Sequence, residues 1–145
     1  MNKTQLYNDC VHYVNDRINN SETAISEAQA AANSETKSTA GDKHDTARAM
    51  MQLEVEKNSK QLAEAKKMRQ FLSQIDPEVH CSEAGIGAAV ETSKGNFYIA
   101  ISAGKISNDF FAISLASPMG TALSGKKAGD TTMMNGQQVE VLSVC

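Results

Sequence analysis

The sequence predicts an α+β protein in which a long antiparallel helical hairpin precedes a small antiparallel β domain carrying one short helix. Glycine placement is the first reason. Only Gly41 occurs in the first 84 of the 145 residues, and the other eight glycines lie between Gly85 and Gly136. Both prolines, Pro77 and Pro118, fall outside the two N-terminal helical patterns. Gly and Pro punctuate regular structure, so long uninterrupted helix is expected first and short elements with turns afterwards. The second reason is that the apolar period changes from helical to alternating beyond Pro77. Residues 1–76 are expected to form the hairpin, an antiparallel coiled coil with its tip at 37–45, and residues 77–145 the β domain.

From Lys3 to Thr36, apolar Leu6, Cys10, Val14, Ile18, Ile25, Ala28 and Ala32 follow one another at steps of three, four or seven, which is one stripe of a helix. Large residues give way to alanines toward position 32, a taper that predicts close approach of the partner helix there. A second helix is expected from Asp42 to Ile75. Its stripe is Met51, Val55, Leu62, Ala65, Leu72 and Ile75, interrupted by polar Asn58 and Arg69. Met50 and Met51 are expected to pack in the seam. The short connection Lys37-Ser38-Thr39-Ala40-Gly41 forces the helices to fold back on each other. Each arm would then span about 50 Å at 1.5 Å per residue. Residues 1–36 carry Lys3 and Arg17 against Asp9, Asp16, Glu22, Glu27 and Glu35, a net of −3. Residues 46–75 carry Arg48, Lys57, Lys60, Lys66, Lys67 and Arg69 against Glu54, Glu56 and Glu64, a net of +3. Opposite charges suit pairing within one chain, and a solvated helical surface is the expected role of most of them.

In the second half, Ala88–Thr92 and Phe97–Ser102 flank Ser93-Lys94-Gly95-Asn96, a hairpin signal. Phe110–Ser114 is a further strand. Ser117 reads as an N-cap with Pro118 in the first helical position, and Gly125 as the stop. Thr131–Met134 and Val139–Val144 close a last hairpin around Asn135-Gly136, a pair suited to a type I′ turn.

Composition excludes several function classes. The formal charge of −3 lacks the electrostatic footprint of a protein that grips duplex DNA. No apolar run approaches the ~20 residues of a membrane span, and MNKTQLYNDC has no signal-peptide core. A cytoplasmic protein with no membrane partner and no sequence-specific DNA binding is expected. Cys10, Cys81 and Cys145 are far apart and odd in number, so neither a zinc site nor a disulfide framework is indicated, and structural roles are expected.

The stretch Ile113-Ser114-Leu115-Ala116-Ser117-Pro118-Met119-Gly120-Thr121-Ala122-Leu123-Ser124-Gly125-Lys126-Lys127-Ala128-Gly129-Asp130 resembles the C-terminal signature of the Gre family of bacterial transcript cleavage factors. Thr121 stands where that signature usually has a basic residue. The resemblance implies an FKBP-like fold for the β domain. It also implies docking on bacterial RNA polymerase through Ser117, Pro118, Gly125, Lys126, Gly129 and Asp130. Gly41-Asp42-Lys43-His44-Asp45 is similar to the family's acidic tip. In that family two tip carboxylates enter the polymerase secondary channel and help hold a magnesium ion near the RNA 3′ end of a backtracked complex. By resemblance Asp42 and Asp45 take that role. The magnesium would belong to the polymerase active site, with no cofactor of the protein's own and no free-standing enzyme activity.

Magnesium takes hard oxygen ligands and retains waters, so two carboxylates suffice to localise it. The same two residues also read as helix caps, Asp42 at the N-cap and Asp45 at the capping-box position. The chain departs from the tip pattern where Thr46-Ala47-Arg48-Ala49 replaces the usual Asn-Ala-Glu-Tyr, and where Asp45 replaces a longer Glu. A non-cleaving polymerase regulator that uses the same docking is therefore the alternative. A prolyl isomerase is a third reading, resting on fold alone. His44 is expected to be an exposed loop residue rather than a ligand.

Overall fold

The computed structural model describes residues 2–36 and 41–145, and the side chains of 35, 36 and 41–44 lie outside the description. Two helices come first: α1 over Lys3–Thr36 and α2 over Gly41–Ser73, of 34 and 33 residues. Asn2 starts α1, its side-chain oxygen accepting from the Gln5 amide at 3.2 Å, which occupies one of the four amides a helix start leaves unpaired. At the end of α2, Gln74 and Ile75 donate to Phe71 and Leu72, tightening the last turn before Pro77.

The chain divides into two compact units, Val14–Arg69 and Met1–Tyr13 with Gln70–Cys145. Within the Val14–Arg69 unit the seam follows the expected stripe: Val14, Ile18, Ala28, Ala32 and Ala65 are buried. Two polar residues, Ser21 and Asn58, are buried there as well. Asn58 is tolerated because its amide donates to the Glu54 carbonyl one turn back, at 2.8 Å. Met51 lies half-buried but Met50 is 62% exposed, so the expected seam role fails for Met50. Adjacent helical residues point about 100° apart, and one seam takes only one of them. The alanine taper does not bring the helices tightly together either. Gln29, Ala32 and Asn33 face Gln52, Val55 and Glu56 across an open cleft of about 530 Å³. Small apolar side chains leave that space, and the polar ones lining it favour water over closer packing.

The second unit holds a six-stranded sheet of order β3-β4-β2-β1-β6-β5. Its strands are β1 Ala89–Thr92, β2 Gly95–Ile99, β3 Gly104–Lys105, β4 Phe110–Ile113, β5 Thr131–Met134 and β6 Gln137–Val144. Pairing is antiparallel except between β2 and β4, which run parallel with Phe97 opposite Phe111. The all-antiparallel expectation is corrected at that one pair. The chain leaves β2, forms β3 on the outer edge, and returns as β4 inserted between them, a crossover that parallel neighbours require. Asn135 and Gly136 both have positive φ, the I′ geometry expected of that hairpin.

One sheet face carries Ala88, Val90, Phe97, Ile99 and Val141, which pack with Leu123 of the helix α3, Pro118–Leu123. Successive strand residues alternate faces. Tyr98 therefore turns to the opposite side, where it is fully buried and within electrostatic reach of Tyr7 and Cys10 on the first turns of α1. Asp9 of α1 accepts from the Ser107 amide at 3.0 Å, and Tyr7 donates to the Leu72 carbonyl at 2.8 Å. The first three turns of α1 are thus part of the β-containing unit.

Candidate functional site

Two places in the chain carry the residues singled out by sequence. At the start of α2, the helix begins at Gly41, one residue before the expected start, so the Asp42 backbone is already helical. The side chains of Gly41, Asp42, Lys43 and His44, and the tip residues 37–40, lie outside the described residues. Asp45 is exposed, just over one turn into α2. A helix start favours negative charge, because unpaired amides there carry partial positive charge. Arg48, also exposed, lies one turn further along the same helix. Among the described residues no three His, Cys, Asp or Glu side chains converge into a metal cage.

The second place is the turn from β4 through α3 to β5. Ser117 sits in extended backbone before α3, and its hydroxyl accepts from the Gly120 amide at 3.0 Å while donating to the Ser114 carbonyl at 2.6 Å. Pro118 occupies the first helical turn, where its missing N–H costs nothing. Gly125 leaves the helix at φ +77°, and its amide donates to the Ala84 carbonyl at 2.8 Å. The Lys126 carbonyl accepts from the Ala84 amide in return, also at 2.8 Å. Gly129, at φ +93°, and Asp130 straddle β6 through Val141, Gly129 donating to its carbonyl and Asp130 accepting from its amide. The Asp130 carboxylate accepts from the Lys127 amide at 2.8 Å.

Five of the six docking candidates thus build the loop by their own backbone or side-chain bonds, with Pro118 shaping the helix start. The loop presents Thr121, Ser124, Lys127 and Asp130 among its polar side chains, with Ala116, Pro118 and Ala128 also exposed and Lys126 half-buried. Replacing Ser117 by Ala removes both hydroxyl bonds, and a loss of about 1 kcal/mol in unfolding free energy is expected from the cap. Urea denaturation of the variant checks this, and an unchanged midpoint would contradict the capping role.

Sequence reasoning missed several residues with structural consequences. Gly120 lies where α3 presses on the Ser114–Leu115 backbone, a position that no sequence period marks. Lys3, a residue type that normally stays in water, is only 6% exposed. The Tyr98 hydroxyl is buried without a hydrogen-bond partner among the described residues.

No family model and no curated protein matches the chain. Among solved structures, the chain is similar to the crystal structure of GreA factor homolog 1 (Gfh1) of Thermus thermophilus. The identity is 18% and the TM-score 0.36, covering 91% of this chain and 92% of that one. It is likewise similar to a structure of the transcription factor Gfh1, at 19% identity and a TM-score of 0.40, covering 94% and 93% of the two chains.

Proposed function

We propose that this chain is a Gre-like RNA polymerase secondary-channel factor that promotes cleavage of the transcript in backtracked complexes. The observation that carries the reading is Asp45, exposed near the start of α2 and close to the short connection between helices of 34 and 33 residues. An acid near the start of a long helix, three residues after Asp42 in sequence, suits a role inside a narrow channel. The loop from Ser114 to Asp130 is the surface that docks, its shape fixed by the Ser117 cap and the Ala84 bonds.

Bacterial RNA polymerase is then the partner and the cytoplasm its location. No helix among the described residues is long and apolar enough to cross a membrane. Asp42 and Asp45 would offer carboxylate oxygens to a magnesium ion supplied by the polymerase, whose chemistry when bound would be to lower the pKa of a water. The protein acts in trans on the nuclease activity of the polymerase and contacts the RNA 3′ end only indirectly.

A second reading, a non-cleaving regulator that occupies the channel, is favoured by one observation. Arg48 is exposed three residues after Asp45, a position where its positive charge opposes recruitment of a cation. Cleavage by stalled, backtracked polymerase separates the two. Wild-type protein should shorten the transcript, and the double substitution Asp42→Asn, Asp45→Asn should slow that shortening on the order of 10- to 100-fold, as loss of groups that hold a catalytic metal commonly does. Polymerase binding with no shortening by the wild type would sink the cleavage reading in favour of the regulator. Shortening that survives the double substitution would remove the tip acids from the mechanism.

A further inference from the structure

The outer face of α2 reads the same in charge and size when the helix is turned end for end. At about 100° per residue, Asp45, Ala49, Gln52, Leu53, Glu56 and Lys60 share a single arc of about 100°. All six are exposed. The arc lies opposite the seam in which α2 buries Asn58 and Ala65. At its centre stands Leu53, a large apolar side chain that is 63% exposed. The whole face belongs to the Val14–Arg69 unit.

Reversal about the midpoint between Gln52 and Leu53 exchanges Asp45 with Lys60, Ala49 with Glu56, and Gln52 with Leu53. A two-fold axis at that midpoint sets a second α2 antiparallel to the first and forms an Asp45–Lys60 ion pair at each end. No like charges stand opposite each other in this register. A slip of one turn sets Asp45 of one copy against Glu56 of the other in one direction and against Glu64 in the other, so the charges select the register. Leu53 also has somewhere to go. It falls opposite Gln52 of the second copy, which with Glu56 rims the cleft of about 530 Å³ that Ala32 and Val55 line.

We propose that this face of α2 is a docking surface for a second copy of the chain, joined as an antiparallel α2–α2 dimer by paired Asp45–Lys60 contacts around Leu53. The contact is roughly 24 Å long at 1.5 Å per residue. An interface of that size is small, so the dimer is transient, with a dissociation constant on the order of 10–100 µM. Pairing covers Asp45 and withdraws it from any other partner. The balance between monomer and dimer therefore controls how much of the acid is available, whatever that acid does in the monomer.

Sedimentation velocity of the full-length protein from about 5 to 500 µM reads the equilibrium directly. The wild type is expected to pass from monomer to dimer across that range. Lys60→Glu and Asp45→Lys each set like charges together twice and are expected to weaken the dimer about tenfold or more. Both side chains are exposed, so neither change disturbs the seam of the hairpin. The double exchange Asp45→Lys, Lys60→Glu restores both ion pairs with their signs reversed, and dimerisation is expected to return to within about threefold of the wild type. Leu53→Ser is expected to weaken it about tenfold without changing any charge. A wild type that stays monomeric at the highest concentration overturns the proposal. A dimer indifferent to Lys60→Glu also overturns it, as does a double exchange that fails to restore pairing lost in both single variants.

Discussion

Replacing Gly120 with Ala is expected to destabilise the protein by about 3 kcal/mol or more. A Cβ at this position would lie 2.2 Å from the Ser114 carbonyl oxygen, 2.8 Å from the Leu115 oxygen and 2.9 Å from the Leu115 Cα. All three atoms are backbone, so no side-chain rotation relieves the contact. Nor can the backbone withdraw freely. The Ser114 oxygen accepts from the Ser117 amide at 3.1 Å and from its hydroxyl at 2.6 Å, and the Leu115 oxygen accepts from the Thr121 hydroxyl at 3.3 Å. Moving that segment away breaks the cap that starts α3, and moving α3 instead lifts Leu123 out of the core it shares with Val90, Phe97 and Ile99. Helix propensity alone pulls the other way, since Ala in a helix is favoured over Gly by about 1 kcal/mol. The two arguments therefore predict opposite signs. Urea denaturation at neutral pH tells them apart, and a Gly120→Ala protein as stable as the wild type would falsify the close approach.

Much of the fold is legible in the sequence, for reasons tied to particular residues. The helical run of α1 is legible in Leu6, Cys10, Val14 and Ile18 stepping by four, continued by Ala28 and Ala32 on the same stripe. The Asn135-Gly136 turn and the Ser117-Pro118 helix start are legible because each demands a backbone conformation that few residues accept. What the sequence hides is set by tertiary neighbours. Strand β3 is two residues, Gly104 and Lys105, both exposed, too short to show any alternation. The parallel pairing of β2 with β4 depends on where the intervening crossover lies, which no local pattern states. Asn58 reads as a break in the seam, yet it is buried, since its amide is satisfied by its own helix. Lys3 reads as solvent-facing and is buried because three acceptors from distant parts of the chain surround its ammonium. The candidate site divides in the same way. Exposure of Asp45 follows from its place off the apolar stripe, whereas the use of the exposed Asp130 carboxylate as a loop cap required the partner amide of Lys127 to be seen.

The packing of α1 on the Tyr98 face of the sheet should make the protein lose stability in alkali, above about pH 9. Burial, reinforced by the charge of Asp9, pushes the Cys10 thiol up to about 12 from its ordinary value of 9.0. Burial likewise pushes the Tyr98 phenol well above its ordinary range, with Cys10, Tyr7 and Cys81 adding to the effect. In both groups the folded state holds the proton more tightly than the unfolded chain does. Between the unfolded and folded values the unfolded state has released its proton while the folded state retains it, so unfolding stability falls as pH rises. The slope is about 1.4 kcal/mol per pH unit for each such group. Below pH 9 both groups are neutral in either state and contribute no slope. The contribution of Cys10 is thus fully present at neutral pH and is lost between about pH 9 and 12. Urea denaturation at several pH values from 8 to 11 measures it. The decisive quantity is the difference in slope between proteins. Cys10→Ala should lower stability at pH 8, since it leaves a small cavity, while flattening the decline above pH 9 by about one group's share, so that the deficit shrinks as pH rises. Tyr98→Phe should flatten the decline above pH 10 without that cavity, and should leave the protein at least as stable at pH 8 because it deletes a buried hydroxyl with no hydrogen-bond partner among the described residues. A Cys10→Ala protein whose stability falls with pH as steeply as the wild type's would show that the thiol ionises equally well folded and unfolded, and that α1 does not seal it against the sheet.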